Sequence, residues 1–532
     1  MKDIKIAQKL IRKLIRKKYY SPKKLSLLKR EFSKKYGCSL LSNITLIKAY
    51  RQLLKNKKIT KNHKVLKLLR RRDVRTLSGV SIITVLTKPY QCPGNCIYCP
   101  SEKDMPKSYL KKEPAAQRAY LNKFDPYKQV QTRIKSLILT GHPVDKIEMI
   151  VLGGSWTAYP KKYKTWFIKR CFDACNHSTS KTLEQAQKKN EKAKHRIIGL
   201  SLETRPDLID EKEALAMRKL GCTRVELGVQ TIYPKILKKI NRQATVEDTV
   251  KATKILKDFG FKIVYHLMPN LPGSTPVKDL KIFKTIFSDP RFQPDMLKIY
   301  PCVVLKTAKL YQQWQKKLYK PYSQKTLNKL LINIKKTIPP YVRINRLIRD
   351  IPSDCIEAGN KVTNLRQIIQ KEYSHCQCIR CREAREKPVE KDIKFIKRVY
   401  QASKATEYFL SFESKDKKTL YAFLRLRLPN SLSAQTGKSA RASHIAMIRE
   451  LHTYGQSLSL PKRSSQRSSA VQTRLKAVQH LGLGKKLMKK AEKIAKQKSF
   501  QKIAVISGIG VRQYYRKLDY RLSQTYMVKK IK

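Results

Sequence analysis

The chain has 532 residues and a net charge of +80, with 118 Lys and Arg against 38 Asp and Glu. That length fits two to four domains of ~100–200 residues, each with a sizeable core. No stretch approaches the ~18 consecutive apolar residues of a membrane-spanning helix, and the Lys-interrupted start "MKDIKIAQKLIRKLIRKKYY" lacks the apolar region of a secretory signal. The expected compartment is cytoplasmic, with no membrane partner. Disulfides are rare there, so clustered cysteines read as metal or catalytic ligands. The charge predicts a polyanionic partner, and nucleic acid fits best because each phosphate contact adds affinity by counterion release. A solvated surface adapted to a salty cytoplasm is the competing reading.

Residues 1–77 form the first expected unit. Positions 1–75 hold 26 Lys and Arg against only Asp3, Glu31 and Asp73, while Ile4, Leu10, Ile11, Leu14 and Ile15 recur at helical spacing. This predicts a basic helical segment rather than a disordered tail.

Next, the strand-like "VSIITVLTKPY" runs into "CPGNCIYCP". Cys92, Cys96 and Cys99 are spaced C-x3-C-x2-C, with no fourth cysteine nearby. Four thiolates would close a zinc or iron–sulfur site. Three on a [4Fe–4S] cube leave one iron open to chelate S-adenosylmethionine, whose reductive cleavage gives a 5′-deoxyadenosyl radical. Tyr98 sits where this class carries an aromatic. A zinc site is the alternative.

Strand-like runs then alternate with helical stretches: "KIEMIVLGG", "RIIGLSLETRPD", "TRVELGVQT", "FKIVYHLMPN" and "DMLKIYPCVV". Six such units predict an α/β fold, a partial, open (β/α)6 barrel over 78–350 with its chemistry at the C-terminal strand ends. Those ends carry the cysteines, Gly153 and Gly154, Glu203 to Arg205, Gln230, His266, Asn270 and Tyr300. The Gly153–Gly154 turn would let backbone approach the methionyl part of the cofactor, or is simply a turn.

In the linker 351–394, Cys376, Cys378 and Cys381 have the spacing of a tetrahedral zinc site, with Cys355 or His375 as fourth ligand. Reduced thiols in a basic loop, or a second cluster, are the alternatives. Cys38, Cys171, Cys175, Cys222 and Cys302 read as packing residues.

From 395 the pattern becomes α+β. "TEYFLSFES", "TLYAFLRLRLP" and "SHIAMIRELHTYG" predict successive antiparallel strands. "QHLGLGKKLMKKAEKIAKQ" predicts a Gly-containing turn, Gln479 to Gly484, opening a helix whose free N–H groups suit a pyrophosphate. With "KIAVISG" and "VRQYYRKLDY" this matches an N-acetyltransferase fold over 395–532, binding acetyl-CoA. Tyr514 and Tyr515 fall on the next helix, where a phenol can protonate a leaving thiolate; aromatic packing is the alternative. Residues 455–475 read as a Ser- and Arg-rich loop.

In their order these motifs, with "EPAAQRA", "GHPVDKIE", "VLGGSWTAYP", "RLIRDIP", "NLRQ" and "CQCIRCRE", resemble the catalytic subunit of Elongator and its stand-alone bacterial and archaeal relatives, the tRNA uridine-34 carboxymethyl synthases. The resemblance runs from about residue 78 to the end. It implies that tRNA binds both domains and the basic segment, and that acetyl-CoA is cleaved only with tRNA present. The adenosyl radical then takes hydrogen from the acetyl methyl, and the acetyl radical adds to C5 of the wobble uridine. By motif match, Cys92, Cys96 and Cys99 hold the cluster and Lys146 contacts CoA. Glu450, Leu451, His452 and Thr453 match the strand beside the acetyl-pantetheine arm. Leu483, Gly484 and Lys485 match the pyrophosphate turn, and Tyr515 the tyrosine beside the thioester. Lys298 is a candidate contact to cofactor or acetyl group. An electron donor is required, and a homodimer is allowed. The chain departs from the family at Asp519, commonly Gly, at "GGSWTAYP", usually "GGTFMALP", and in its shorter first-to-second cysteine spacing. A protein lysine acetyltransferase with a non-catalytic barrel, or an RNA-binding module with decayed sites, are the competing functions.

Overall fold

Apolar residues three and four apart make Lys2–Arg16 a helix (α1), followed by Pro22–Tyr36 (α2), Asn43–Lys55 (α3) and His63–Leu69 (α4). Ser21 caps α2 by accepting from the Lys24 N–H, Pro22 sits at its first turn, and Gly37 at φ +55° ends it. Leu10, Ile11, Leu14, Leu46 and Tyr50 are fully buried between these helices, each burial contributing roughly 1.5–3 kcal/mol. The computed structural model describes residues 2–70, 76, 78–385, 387, 390, 392–430, 445–455 and 482–531.

The first sheet is parallel and in sequence order: Val80–Leu86 (β1), Lys146–Leu152 (β2), Arg196–Thr204 (β3), Arg224–Gln230 (β4), Lys262–Leu267 (β5), Met296–Ile299 (β6) and Arg343–Arg346 (β7). It is the expected open barrel, with a seventh strand added to the six predicted. Helices pack one face over Val85, Ile147, Leu202, Val225 and Ile263. The other face turns into a lumen. There Glu148, Arg224, Glu226 and Lys298 interrupt otherwise apolar strands at alternate positions, as the two-residue period of a strand dictates.

The second sheet is mixed, in the order β13–β14–β12–β11–β10–β9–β8. Its strands are Lys394–Gln401 (β8), Ala405–Glu413 (β9), Leu420–Pro429 (β10), Ile445–Thr453 (β11), Lys502–Val505 (β12), Arg521–Ser523 (β13) and Tyr526–Lys530 (β14). The predicted strands β9 to β11 pair antiparallel, and β11 pairs parallel with β12. The helix Leu483–Gln497 covers the sheet with Leu487, Met488, Ala491 and Ala495. Of the predicted turn, Gln479 to Leu481 lie outside the described residues, as does most of the expected loop 455–475.

The two sheets press together at the N-terminal ends of the barrel strands. A Cβ on Gly508 would fall 2.0 Å from the Ile198 carbonyl oxygen, and one on Gly510 2.6 Å from Arg196 Cβ, so only glycine admits this approach. Beside it lies a buried ionic network. Arg449 on β11 donates to Asp295 Oδ2 at 2.8 Å and to the Phe261 carbonyl at 2.8 Å, and lies 3.1 Å from Glu407. Arg425 donates to Glu450 at 2.9 Å and to the Tyr341 carbonyl at 2.7 Å.

Candidate active site

The cysteine loop follows β1 and is fastened by backbone bonds from Ile97 to Ile240, from Leu310 to Ile97 and from Ser101 to Thr307. Arg242 donates to Cys96 Sγ at 3.5 Å and also to the Gly228 carbonyl. The Cys99 thiol donating to Cys96, with Arg242 alongside, pulls the Cys96 thiol down to about 5 against the cost of burial. A thiolate is the metal-binding form, so the loop presents a ready ligand. Gly94 lets Arg205 pack against the loop: a Cβ there would sit 1.9 Å from Nη1 of Arg205, whose guanidinium is held by Asp207 at 2.7 and 2.9 Å. Arg205, just past the end of β3, and Arg242, in the loop after the helix Pro234–Lys239, thus brace the loop from two sides, a donor set that fits an iron–sulfur cluster on Cys92, Cys96 and Cys99.

Gly153 adopts φ +139°, and a Cβ would lie 1.9 Å from Thr87 Oγ1. Gly154 follows in the same cavity wall. Deeper in the lumen, Glu226 accepts from His266 Nε2 at 2.9 Å, from Lys298 Nζ and from Ser201 Oγ at 3.1 Å. Burial alone would raise the Glu226 carboxyl, yet Lys298 and His266 hold it well below the usual carboxylate range. The Lys298 ammonium is therefore committed to Glu226, and burial's downward pull on it is outweighed by that carboxylate. Glu203 and Tyr300 sit above, with Tyr109 donating to Glu203 at 3.2 Å.

At the other end, β11 pairs with β12 only from Ile445 to Ile448. Beyond that point the two strands diverge, and Glu450, Leu451, His452 and Thr453 open onto the cavity along the splayed edge. Burial keeps His452 below the ordinary imidazole value, so it is neutral at pH 7. The helix from Leu483 begins at Gly482, φ +70°, with Gly484 and Lys485 in its first turn. A Cβ on Gly484 would meet the Tyr514 hydroxyl at 3.1 Å. Tyr514 and Tyr515 lie in the helix Arg512–Arg516 with ring centroids 5.2 Å apart. Burial raises both phenols, most at Tyr515, so both are protonated donors at neutral pH.

The three cysteines, Gly153, Gly154, Glu226, His266, Lys298, Glu450 to Thr453, Gly484, Lys485, Tyr514 and Tyr515 line one continuous cavity of about 1890 Å³, with Lys146 at the start of β2, while Leu483 is buried against the second sheet. Cys376, Cys378 and Cys381 stand apart from it, their three Sγ atoms all within 4.8 Å of one another. Neither His375 nor Cys355 belongs to that set among the described residues. Sequence reasoning missed Glu148, Arg224, Glu226, Arg242 and Arg343. For Glu148, Arg224 and Glu226 the available signal was charge at every second position of strands that parallel sheets keep apolar; Arg242, in a loop between helices, and Arg343, in the short β7, carried none.

Residues 87–285 match the Radical SAM superfamily and 294–375 its C-terminal domain. The tRNA uridine(34) acetyltransferase of Methanocaldococcus infernus is 45% identical over 482 residues, 87% of this chain and 88% of that protein. Elongator complex protein 3 of Homo sapiens is 35% identical over 534 residues, 96% and 93% of the two chains. The solved structure of the archaeal M. infernus Elp3 with an N-terminal deletion superposes with a TM-score of 0.73 at 42% identity, covering 85% of this chain and 99% of that one. Barrel, cysteine trio and second sheet together define a radical SAM enzyme with an appended acyltransferase-type domain; such a chain takes S-adenosylmethionine and a [4Fe–4S] cluster. The chain belongs to the family of the tRNA uridine(34) acetyltransferases and Elongator complex protein 3.

Proposed function

We propose that this chain modifies C5 of the wobble uridine of tRNA with a carboxymethyl group drawn from acetyl-CoA, as a tRNA uridine(34) acetyltransferase. The single observation that carries it is the shared cavity, which joins a three-thiol loop to a splayed acyl-arm edge. Its organisation follows: 1–77 for tRNA, 78–350 for the radical site, 351–394 as linker, and 395–532 for acetyl-CoA.

Cys92, Cys96 and Cys99 hold the cluster, which when bound supplies one-electron cleavage of S-adenosylmethionine and with it hydrogen-atom abstraction. Arg242 stabilises the thiolate form of its ligand. The splayed edge, Glu450 to Thr453, offers unpaired N–H and C=O groups to an amide-bearing pantetheine arm, as an added strand would use them. The first-turn N–H groups at Leu483, Gly484 and Lys485 receive the pyrophosphate, and Lys146 pairs with a phosphate. Water adds to the thioester carbonyl, the C–S bond breaks to leave a carboxyl, and Tyr515 protonates the departing CoA thiolate, with Tyr514 positioning the turn. Helices α1 to α4 hold tRNA phosphates, and the unstacked anticodon base enters at modest cost. A cytoplasmic electron donor supplies the reductant.

Cys376, Cys378 and Cys381 hold a structural zinc. Zn–S bonds of about 2.3 Å imply thiolates roughly 3.8 Å apart, and the observed mutual spacing needs little adjustment. The site staples the linker to β7, where the Ile379 N–H donates to the Val342 carbonyl at 2.9 Å and Arg380 to the Asn345 carbonyl at 2.6 Å.

The test is acetyl-CoA hydrolysis by anaerobically reconstituted protein with and without tRNA, alongside a Cys92→Ala, Cys96→Ala, Cys99→Ala variant. Hydrolysis that needs tRNA, and a variant that makes no modified uridine, is the expected result. Acetylation of protein lysines by the variant at full rate, with no tRNA requirement, would overturn it.

A further inference from the structure

The cysteine loop has an outer side as well as the side that faces the cavity. Four rings stand in file there. Between ring centroids, Tyr90 lies 4.9 Å from Tyr159, Tyr159 5.2 Å from Tyr163, and Tyr163 5.6 Å from Trp166. The two ends of the file are open to solvent, Tyr90 by 42% and Trp166 by 43%, although large rings ordinarily bury most of their surface. The file is fastened to the start of the loop. The Tyr159 hydroxyl accepts from Thr87 Oγ1 at 2.8 Å and donates to the Lys88 carbonyl at 2.7 Å, and the Lys88 N–H donates to the Tyr163 hydroxyl at 3.0 Å. Tyr159 also lies within electrostatic reach of Cys92. Tyr90 precedes Cys92 by two residues, a span of at most ~7 Å. None of the four rings lines the cavity. Residues 159–172, which carry three of them, hold five Lys and Arg and no Asp or Glu. Lys164 pairs with Glu213 at 2.9 Å and Lys169 with Asp173 at 2.8 Å. Lys88, Lys161 and Lys162 are exposed beside the rings, with Lys88 Nζ 5.3 Å from the Tyr163 centroid.

We propose that this strip, Lys88, Tyr90, Lys161, Lys162 and Trp166, is the docking surface for an acidic redox protein that delivers an electron to the cysteine loop. The inference rests on the proposed function, which requires a one-electron reductant and gives it no point of entry. One electron leaves the partner's flavin or iron–sulfur centre, enters the cluster held by Cys92, Cys96 and Cys99, and is taken up by the sulfonium of S-adenosylmethionine as its sulfur–C5′ bond breaks. Three observations carry the surface. Its rings are bonded to the chain that leads into the cysteines. Its exposed charge is positive, which complements an acidic partner and steers its approach. It lies outside the cavity. On the proposed function tRNA and acetyl-CoA take the cavity, so a reductant that acts while both are bound must come from the other side. Electron-transfer encounters are small, typically below about 1,200 Å² of buried area. A few aromatic anchors with charges around them suit that scale. Nucleic acid is the other polyanion that exposed rings and lysines can hold, and the test separates the two.

The probe is a bacterial flavodoxin, kept reduced by NADPH and its reductase. Sodium dithionite, too small to need a docking surface, is the comparison. The strip variants are Trp166→Ala, Tyr90→Ala, and Lys161→Glu with Lys162→Glu. The last pair opens the helix Lys161–Asn176, where acidic residues complement the helix dipole, so it should not cost stability. Lys325→Glu with Lys329→Glu, exposed on the helix between β6 and β7, makes the same change of charge elsewhere. Two quantities are read. One is the affinity of the iron-free protein for oxidised flavodoxin, by surface plasmon resonance. The other is 5′-deoxyadenosine formed by the reconstituted protein with tRNA under each reductant. Each strip variant should weaken flavodoxin binding about fivefold or more and slow flavodoxin-driven cleavage to match. Dithionite-driven cleavage and KM for tRNA should stay within about twofold of the parent, as should flavodoxin binding by the Lys325 and Lys329 control. Should Tyr90→Ala load less iron, Trp166→Ala and the lysine pair carry the test. Strip variants that bind and use flavodoxin as the parent does overturn the proposal, as does a control that loses as much as the strip pair. A parent that flavodoxin neither binds nor drives overturns it too. So does a rise in KM for tRNA under dithionite in the strip variants, the mark of a nucleic-acid platform. A parent that makes no 5′-deoxyadenosine even with dithionite would instead sink the proposed function, with the binding result still standing.

Discussion

Asp519 stands at φ +67°, the backbone region that favours glycine. Asp is among the side chains that tolerate this region best, so the turn survives at a modest cost. Asp519→Gly should raise stability by up to about 1 kcal/mol, readable as a small rise in Tm. At Tyr515 the argument is chemical. Burial keeps its phenol protonated across the working pH range, and removing a general acid typically costs 10²–10⁴-fold, so Tyr515→Phe should slow tRNA-dependent CoA release by about 10²-fold. Tyr514→Phe should lower it far less. Glu226 and Arg224 were missed from sequence because each sits in a short run that otherwise reads as a buried strand. Only their spacing by two betrays a polar lumen.

At the scale of elements, β1 to β6 were legible because each combines an apolar run with a loop-forming end. β7, "RINR", was not: four mostly polar residues carry no periodic signal, and the strand exists because β6 pairs with it. The same holds for β8, whose burial alternates between exposed and half-buried. The helix from Leu483 was legible through its amphipathic pattern, and its start through Gly482 and Gly484. Gly482 has open space around it but φ +70°. Gly482→Ala should therefore cost about 1 kcal/mol of backbone strain. It should raise KM for acetyl-CoA several-fold while leaving cleavage of S-adenosylmethionine unchanged, a split that separates a displaced phosphate turn from a general loss of fold.

Across the whole molecule, the two sheets act as one body because buried charges lock them. Asp295 is fully buried against Arg449 and Arg425, and stripping its charge leaves those guanidiniums uncompensated. Asp295→Ala should destabilise by about 3–5 kcal/mol in denaturant unfolding. Lys257 in the same network behaves oppositely. Its ammonium has no hydrogen-bond partner among the described residues, and burial lowers it to about 8. Because the unfolded lysine binds its proton more tightly, the network gains stability as pH rises from about 8 toward the free-lysine value near 10.4. Lys257→Met should flatten that pH dependence and add up to about 3 kcal/mol at neutral pH, measured as unfolding free energy across the range. The fold was legible at this scale from motif order. The lock was not, since Lys257, Asp295, Glu407 and Arg449 are distant in sequence and no local pattern joins them. The central claim is that one cavity couples a radical site to an acetyl donor on behalf of tRNA. The most direct measurement supplies anaerobically reconstituted protein with tRNA, S-adenosylmethionine, a reductant and acetyl-CoA labelled in both acetyl carbons, then weighs the tRNA nucleosides. Both labelled carbons should appear together in a carboxymethyl group on the wobble uridine. Unlabelled uridine, with the label released as acetate or found on protein lysines, would contradict the account.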